Sequence, residues 1–185
     1  NGAAFAALKD SGEVVTWGMP RRGGDCSAVT DRLAADVSSI IGCGPAFAAL
    51  KNAGEVVSWG QAHRGGDCSA VAERLAAGVS SITASRFAFA ALKDAGEVVT
   101  WGGAASGGDC SVVAARLATG VSSISGSTFA FAALKDAGEV VTWGSAYHGG
   151  ADCSAVADRL AEGVSSITGI FGAFAAIKDT GEVVT

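Results

Sequence analysis

Short apolar runs alternate with tight polar turns along the whole chain. In the clearest copy, the apolar run Phe89–Leu92 is followed by the polar segment Lys93–Gly96 and by the β-branched and aromatic run Glu97–Trp101. This pattern predicts two antiparallel strands joined by a tight turn, in which the glycine takes a positive φ. Neighbouring residues of the second strand, Val98 and Val99, are both apolar although they point to opposite faces. The hairpin is therefore expected to be covered on both sides, as in a stack of sheets.

The segment after the hairpin predicts a loop, a short helix and a third strand. Gly102–Gly108 is rich in glycine, which indicates a loop, and Asp109 or Ser111 then fits a helix N-cap. Gly120 supplies the C-terminal stop of the helix, and Val121–Ile124 is a short apolar and β-branched run. One unit is therefore expected to contain three strands and one short helix. In the first unit Asp36 occupies the stop position, and Asp tolerates the left-handed conformation better than most residues.

The same pattern returns at an almost constant distance. Successive hairpin phenylalanines are 42 residues apart up to Phe131, and the last step is 43 because Ala151 is inserted in a predicted loop. A period of this length is typical of stacked supersecondary units. We expect a single repeat array over residues 1–185, with units 4–45, 46–87, 88–129, 130–172 and a partial unit 173–185, within a longer chain. The fold class expected is mainly β with one short helix per repeat, either β-propeller-like or an open β-solenoid array.

The recurring aromatic residues are predicted to form the structural core. A large ring at the same place in every unit fits the space between adjacent sheets. The residues assigned to this core are Phe5, Trp17, Phe47, Trp59, Phe89, Trp101, Phe131, Trp143 and Phe174.

Charge and cysteine usage narrow the range of functions. The net charge is −5 and no basic face is visible, which argues against nucleic-acid binding. No apolar run reaches the length of a membrane-spanning helix. Each full unit carries one cysteine at the position of Cys68, with Cys43 as an outlier, and sheet spacing disfavours disulfides between units. Unpaired thiols predict an intracellular protein, with cytosol, nucleus and plastid left open.

No candidate catalytic or cofactor site stands out. A metal site built on Asp67 and Cys68 would lack the paired Cys or His ligands that zinc prefers. The glycine pair before Asp67 is not followed by the lysine of a phosphate-binding loop. We therefore expect no enzyme activity, no cofactor, no metal and no small-molecule substrate. The recurring arginines before leucine, such as Arg32, are expected to pair with acidic residues of the Asp25 type.

Differences between the units are concentrated in two stretches. Residues 19–22, 61–64, 103–106 and 145–148 form the first, and residues 41–45, 83–87, 125–129 and 168–172 form the second. Packing fixes the strands, whereas loops are free to diversify and often carry partner contacts in repeat proteins. Neutral drift on exposed loops is the alternative. The predicted contacts to a protein partner are Arg21, Arg22, His63, Arg64, Arg86, Tyr147, Ile170 and Phe171.

The unit resembles the repeats of the regulator of chromosome condensation family, in a short 42-residue variant. The matching segments are Val79–Ile82, Phe89–Leu92, Gly96 and Val98–Gly102. The resemblance implies blades of a seven-bladed propeller, in a family of guanine-nucleotide exchangers, ubiquitin-ligase modules, a plant UV-B photoreceptor and interaction platforms. One tryptophan per unit does not supply the crowded tryptophans and arginines that photosensing needs. Four and a half units leave ring closure open.

Three functions remain as hypotheses. The first is a non-catalytic interaction or scaffold protein that contacts its partner through the variable loops. The second, implied by the family resemblance, is a guanine-nucleotide-exchange or chromatin-associated regulator. The third is an accessory or linker subunit of a large assembly, such as a photosynthetic membrane complex, because the regular short units resemble arrays of unicellular algae. In that case Gly169–Gly172 would supply apolar contacts.

Overall fold

The computed structural model describes residues 3–148, 150 and 153–185. In this part of the chain, antiparallel sheets follow one another and are joined by short 3-10 helices. The first sheet contains β1 (Ala4–Leu8) and β2 (Val14–Gly18), and each later sheet has three strands. These are β3 (Val37–Cys43), β4 (Ala46–Lys51) and β5 (Val56–Gly60); β6 (Val79–Ala84), β7 (Ala88–Lys93) and β8 (Val98–Gly102); β9 (Val121–Gly126), β10 (Ala130–Lys135) and β11 (Val140–Gly144); and β12 (Val164–Gly169), β13 (Phe174–Lys178) and β14 (Val183–Val184). The mainly β repeat array predicted from the sequence is confirmed.

The third strand of each sequence unit completes the sheet of the next unit. β6 pairs antiparallel with β7, with Ala84 opposite Phe89, and β7 pairs with β8, with Phe89 opposite Trp101. The hairpin and its register follow the apolar pattern, whereas the pairing of β6 crosses the boundary drawn between residues 87 and 88. Each unit is thus tied to its neighbour through a shared sheet. The division of the chain into units stays a prediction.

The helical part of each unit is of the 3-10 type. The predicted helix corresponds to Ser111–Val113 in the third unit, and a second 3-10 turn, Ala104–Ser106, lies in the segment predicted as a loop. The predicted N-cap is wrong, because Cys110 occupies the N-cap position and makes no side-chain cap hydrogen bond. Asp109, just before it, accepts a hydrogen bond through its Oδ1 from the Ser111 backbone N–H at 2.8 Å.

The predicted helix stops are wrong, because the 3-10 helix of the third unit ends at Val113, before Gly120, and that of the first unit ends at Leu33, before Asp36. Asp36 nevertheless adopts the left-handed conformation predicted for it, with a φ of 64°.

Each inner sheet is covered on both faces. The face of β7 and β8 that carries Phe89 and Trp101 packs against Leu50 and Val56 of the preceding sheet. The opposite face, which carries Leu92, packs against the next sheet. The indole N–H of Trp101 donates to the Gly65 carbonyl at 3.1 Å, and the Phe89 and Trp101 rings stack at 5.2 Å. The aromatic core is therefore an interface between sheets.

Two residues assigned to this core are not buried. Phe5 is 55% exposed and Trp17 is 49% exposed, although their rings stack at 5.5 Å as in the inner sheets. The reason is that this face of β1 and β2 has no preceding sheet among the described residues. Phe174 is partly buried against the fourth sheet. The other core residues predicted from the sequence are buried, namely Phe47, Trp59, Phe89, Trp101, Phe131 and Trp143.

The recurring arginines pair differently from the prediction. Arg74 Nη2 lies 2.6 Å from Glu97 Oε1 and also donates to the Val98 carbonyl at 3.1 Å. The partner is therefore a glutamate in the turn of the next sheet, 23 residues along the chain, and not an aspartate of the Asp25 type. Such aspartates accept a backbone N–H two residues further on. The equivalent ion pairs are Arg32–Glu55, Arg116–Glu139 and Arg159–Glu182.

Candidate interaction surface

The strand register brings both variable stretches to one edge of the sheet stack. Ala88 at the start of β7 lies opposite Gly102 at the end of β8, and the end of β6 lies beside them. The Gly103 backbone N–H donates to the Phe87 carbonyl at 2.7 Å, which joins the two stretches directly. We call the edge formed by residues 19–22, 41–45, 61–64, 83–87, 103–106, 125–129, 145–148 and 168–172 the loop edge. The hairpin turns, such as Lys93–Glu97, lie at the opposite edge, which we call the turn edge.

The loop edge differs from the remainder of the chain in charge. Its segments contain four arginines and both histidines, and they contain no aspartate or glutamate. The nearest recurring acidic positions along the chain are Asp25, Asp67 and Asp109, just after the first variable stretch. Hydrogen bonds from the serine two residues further on lower the pKa of each of these carboxyls below its usual range. Aspartate is ionised at neutral pH even at its ordinary pKa, so these three carboxylates form an acidic border to a basic edge.

Arginine and phenylalanine side chains from successive units meet on the loop edge. The Arg64 guanidinium lies 4.1 Å from the centre of the Phe87 ring, and Arg86 lies 5.1 Å from the same ring and 5.8 Å from that of Phe129. The Phe87 and Phe129 rings are 6.0 Å apart, and Phe129 meets the His148 ring edge-on at 4.6 Å. We call these five residues the Arg–Phe column. Cation–π and edge-on ring contacts of this kind are attractive, so they hold these side chains against one another.

Hydrogen bonds also join the loop segments that carry the column from one unit to the next. The Arg86 backbone N–H donates to the Thr128 carbonyl at 2.8 Å, and the Thr128 N–H donates to the Phe171 carbonyl at 3.3 Å. Ser85 and Ser127 also donate through their hydroxyls to carbonyls 21 residues further on, those of Ser106 and His148. The loops are therefore linked from unit to unit by backbone and side-chain hydrogen bonds.

Cys43 takes the place of serine in this pattern. Its Sγ donates to the Arg64 carbonyl at 3.2 Å, as Ser85 does to Ser106. Burial raises the pKa of the Cys43 thiol to about 12, so the thiol remains protonated and able to donate. This accounts for the outlying cysteine, whose role was not evident from the sequence. The signal in the sequence was its alignment with Ser85 and Ser127 in the later units.

The predicted contact residues divide into two groups. Arg64 and Arg86 belong to the Arg–Phe column, together with Phe87, Phe129 and His148, which were not among the contacts predicted from the sequence. The aromatic residue directly after Arg86 was the signal available for them. The other predicted residues are exposed on the same edge and are not among the five residues that define the column: Arg21, Arg22, His63, Tyr147, Ile170 and Phe171. Their role in binding stays a prediction.

The described residues contain no group of three or more His, Cys, Asp or Glu side chains that could hold a metal ion. Within residues 3–148, 150 and 153–185, no helix is long and apolar enough to cross a membrane.

The fold is similar to solved structures at low sequence identity. Prp20p from Saccharomyces cerevisiae matches with a TM-score of 0.61 at 15% identity, over 98% of this chain and 54% of Prp20p. Human WBSCR16 matches with a TM-score of 0.54 at 18% identity, over 96% of this chain and 56% of that chain. The ectodomain of the Arabidopsis thaliana receptor kinase ACR4 matches with a TM-score of 0.54 at 16% identity, over 98% of this chain and 66% of that ectodomain. This chain thus spans about half to two thirds of the length of these proteins.

No protein-family model matches the sequence, and no curated protein matches it either. The likeness to Prp20, which is yeast RCC1, confirms the resemblance to the regulator of chromosome condensation family at the level of the fold. The short 42-residue repeat variant stays a prediction. The chain is a β-rich repeat array with an RCC1-like fold.

Proposed function

We propose that this chain is a non-catalytic interaction module whose loop edge binds a protein partner. The observation that carries the proposal is that the variable residues converge on one edge, where hydrogen bonds between units order them. Repeat proteins commonly separate a packing framework from a diversified binding edge. Two of the structures with a similar fold concern protein partners: Prp20p was studied for binding to Gsp1p and histones, and yeast RCC1 was solved bound to Kap60.

Two further functions have weaker support. A guanine-nucleotide-exchange or chromatin-associated role is favoured by the likeness to Prp20p, which at 15% identity concerns the fold alone. An accessory role in a large assembly is favoured by Ile170 and Phe171, which are 66% and 77% exposed on the loop edge. The free thiols of Cys26, Cys68, Cys110 and Cys153 support an intracellular location.

The test compares two variants of the chain in affinity purification from the source cells, followed by quantitative mass spectrometry. The loop-edge variant carries Arg21→Ala, Tyr147→Ala and Phe171→Ala, and the turn-edge variant carries Asp94→Ala, Asp136→Ala and Asp179→Ala. All six residues are exposed, so both variants are expected to keep the far-UV circular dichroism spectrum and melting temperature of the parent chain.

We expect some proteins to co-purify with the parent chain and with the turn-edge variant. The same proteins should be depleted at least fivefold with the loop-edge variant. Equal recovery with both variants, or selective loss with the turn-edge variant, would contradict the proposal. Acceleration of nucleotide release from a co-purified small GTPase would favour the exchange function over a passive scaffold. Recovery only from detergent-solubilised membrane complexes would favour the accessory role.

A further inference from the structure

Charge is separated between the loop edge and the remainder of the molecule. The four arginines of the loop edge give it a formal charge of +4, so the remainder carries −9 in a chain whose net charge is −5. This separation was not visible in the sequence, because the segments of the loop edge are far apart along the chain and share one edge only when the strands pair. A surface of this kind favours partners of the opposite sign and repels partners that resemble the rest of the chain.

The arginines before leucine and the arginines of the Arg–Phe column have different partners. Arg32, Arg74, Arg116 and Arg159 each pair with a glutamate of the next sheet. By contrast, Arg64 and Arg86 form no salt bridge with any described residue, and their guanidinium groups lie on the Phe87 ring. An arginine held over an aromatic ring can still donate through the N–H groups that point away from the ring. These N–H groups match the two oxygens of a carboxylate.

The geometry of the column fits a short extended segment. The Arg64 and Arg86 guanidinium carbons lie 4.1 Å and 5.1 Å from the same ring centre, so they are at most about 9 Å apart. Alternate residues of an extended chain are roughly 6–7 Å apart, and their side chains point the same way. Two carboxylates separated by one residue can therefore reach both arginines. The exposed Tyr147, Ile170 and Phe171 lie further along the same edge and offer apolar contacts.

From these observations we infer that the loop edge binds an acidic protein segment, with carboxylates on Arg64 and Arg86. This inference rests on the proposed function, since it names the chemistry of the partner at the same edge. A protein segment fits better than a nucleic acid, because the basic area is small and is bordered by ionised Asp25, Asp67 and Asp109. A nucleic-acid strand carries charge along its whole length and would extend over this acidic border.

The direct test is fluorescence anisotropy with a labelled twelve-residue peptide of serine and glycine that contains one Glu-Ala-Glu segment followed by a phenylalanine. Two further labelled probes are measured for comparison. They are the same peptide with glutamine in place of glutamate and a twelve-nucleotide oligothymidylate. The protein variants are Arg64→Gln with Arg86→Gln, and the matched control Arg74→Gln with Arg116→Gln, which also removes two charges but lies away from the loop edge. Circular dichroism and thermal melts verify that each variant is folded.

We expect the acidic peptide to bind at least tenfold more tightly than the glutamine peptide and the oligothymidylate, with an affinity that falls as salt is raised. The double change at Arg64 and Arg86 should weaken this binding at least tenfold, and the control change less than twofold. Equal losses in both variants, tighter binding of the oligothymidylate, or no preference for the acidic peptide would overturn the inference. If the loop-edge variant still loses its partners in the purification while no preference for acid is seen, the proposed function stands and only the acidic partner is withdrawn.

Discussion

The first sheet and the third sheet have nearly the same hairpin sequence but different surroundings. In both hairpins the phenylalanine lies opposite the tryptophan, and the two rings stack at 5.5 Å and 5.2 Å. Phe5 and Trp17 are nevertheless 55% and 49% exposed, whereas Phe89 and Trp101 are 0% and 4% exposed. The hairpin alone thus determines register and stacking. Burial of the same residues depends on the neighbouring sheet, as expected for an array in which each unit contacts only its neighbours.

The comparison predicts that one substitution has very different effects in the two sheets. Trp101→Ala removes a buried indole and its hydrogen bond to Gly65, and we expect it to lower the free energy of unfolding by about 3–5 kcal/mol. Trp17→Ala removes a half-exposed ring that stacks on Phe5, and the expected loss is about 0.5–1.5 kcal/mol. Urea denaturation followed by far-UV circular dichroism measures both without relying on tryptophan fluorescence.

Trp17→Ala is the internal control for this prediction, because it removes the same side chain from the same register. A loss below about 1 kcal/mol for Trp101→Ala would mean that this indole is not part of a tightly packed interface. Equal losses at the two positions would show that the hairpin, and not the neighbouring sheet, provides the stabilisation.

Two glycines with a positive φ differ in whether the next sheet packs against them. Gly107 has a φ of 90°, and a Cβ placed there would lie 2.5 Å from a ring carbon of Phe131 in the next sheet. Gly181 has a similar φ of 83°, but no atom of the other described residues, apart from its two chain neighbours, lies within 4 Å of the corresponding position. Alanine is strained by the positive φ at both sites. Gly107→Ala must in addition displace a buried ring, which should cost about 1–3 kcal/mol more.

The measurement is again the free energy of unfolding, with Gly181→Ala subtracted to remove the contribution of the positive φ. A shift of the Phe131 or Trp143 signals in the NMR spectrum of Gly107→Ala would support displacement of the ring. If the free energy of unfolding falls by the same amount in both variants, the close approach of the Gly107 segment to the next sheet does not contribute to stability.

Features encoded within one unit were predictable from the sequence. The hairpin, its register and the left-handed Asp36 follow from local patterns of apolar residues and turn residues. The exposure of Trp17 was missed because it depends on a sheet that a single unit does not contain. The Arg–Phe column was missed in part because Phe87 and Phe129 lie 42 residues apart, and only the stacking of sheets brings their rings to 6.0 Å. The charge difference between the loop edge and the remainder of the chain was hidden for the same reason.

The smallest expected difference concerns ion pairs. Arg74 and Glu97 join two successive units at 2.6 Å, whereas Lys9 and Glu13 are 2.8 Å apart within one hairpin turn of the first sheet. Both pairs are partly exposed, so solvent weakens them, and we expect a coupling of about 0.5–1 kcal/mol for the first and about 0.2–0.5 kcal/mol for the second. Two double-mutant cycles with alanine, measured by urea denaturation at low salt and in 1 M NaCl, give these couplings directly.

The cycle is needed because Arg74 also donates to the Val98 carbonyl, so Arg74→Ala alone removes more than the ion pair. The coupling between Arg74 and Glu97 should fall in 1 M NaCl, because the charges are accessible to solvent, while the loss of the carbonyl contact should remain. A Lys9–Glu13 coupling energy as large as that of Arg74 and Glu97 would show that an ion pair between two units is no stronger than one within a single turn. In that case the neighbouring sheet would govern the burial of aromatic rings but not the strength of surface charges, and the difference between the first and third sheets would be one of apolar packing alone.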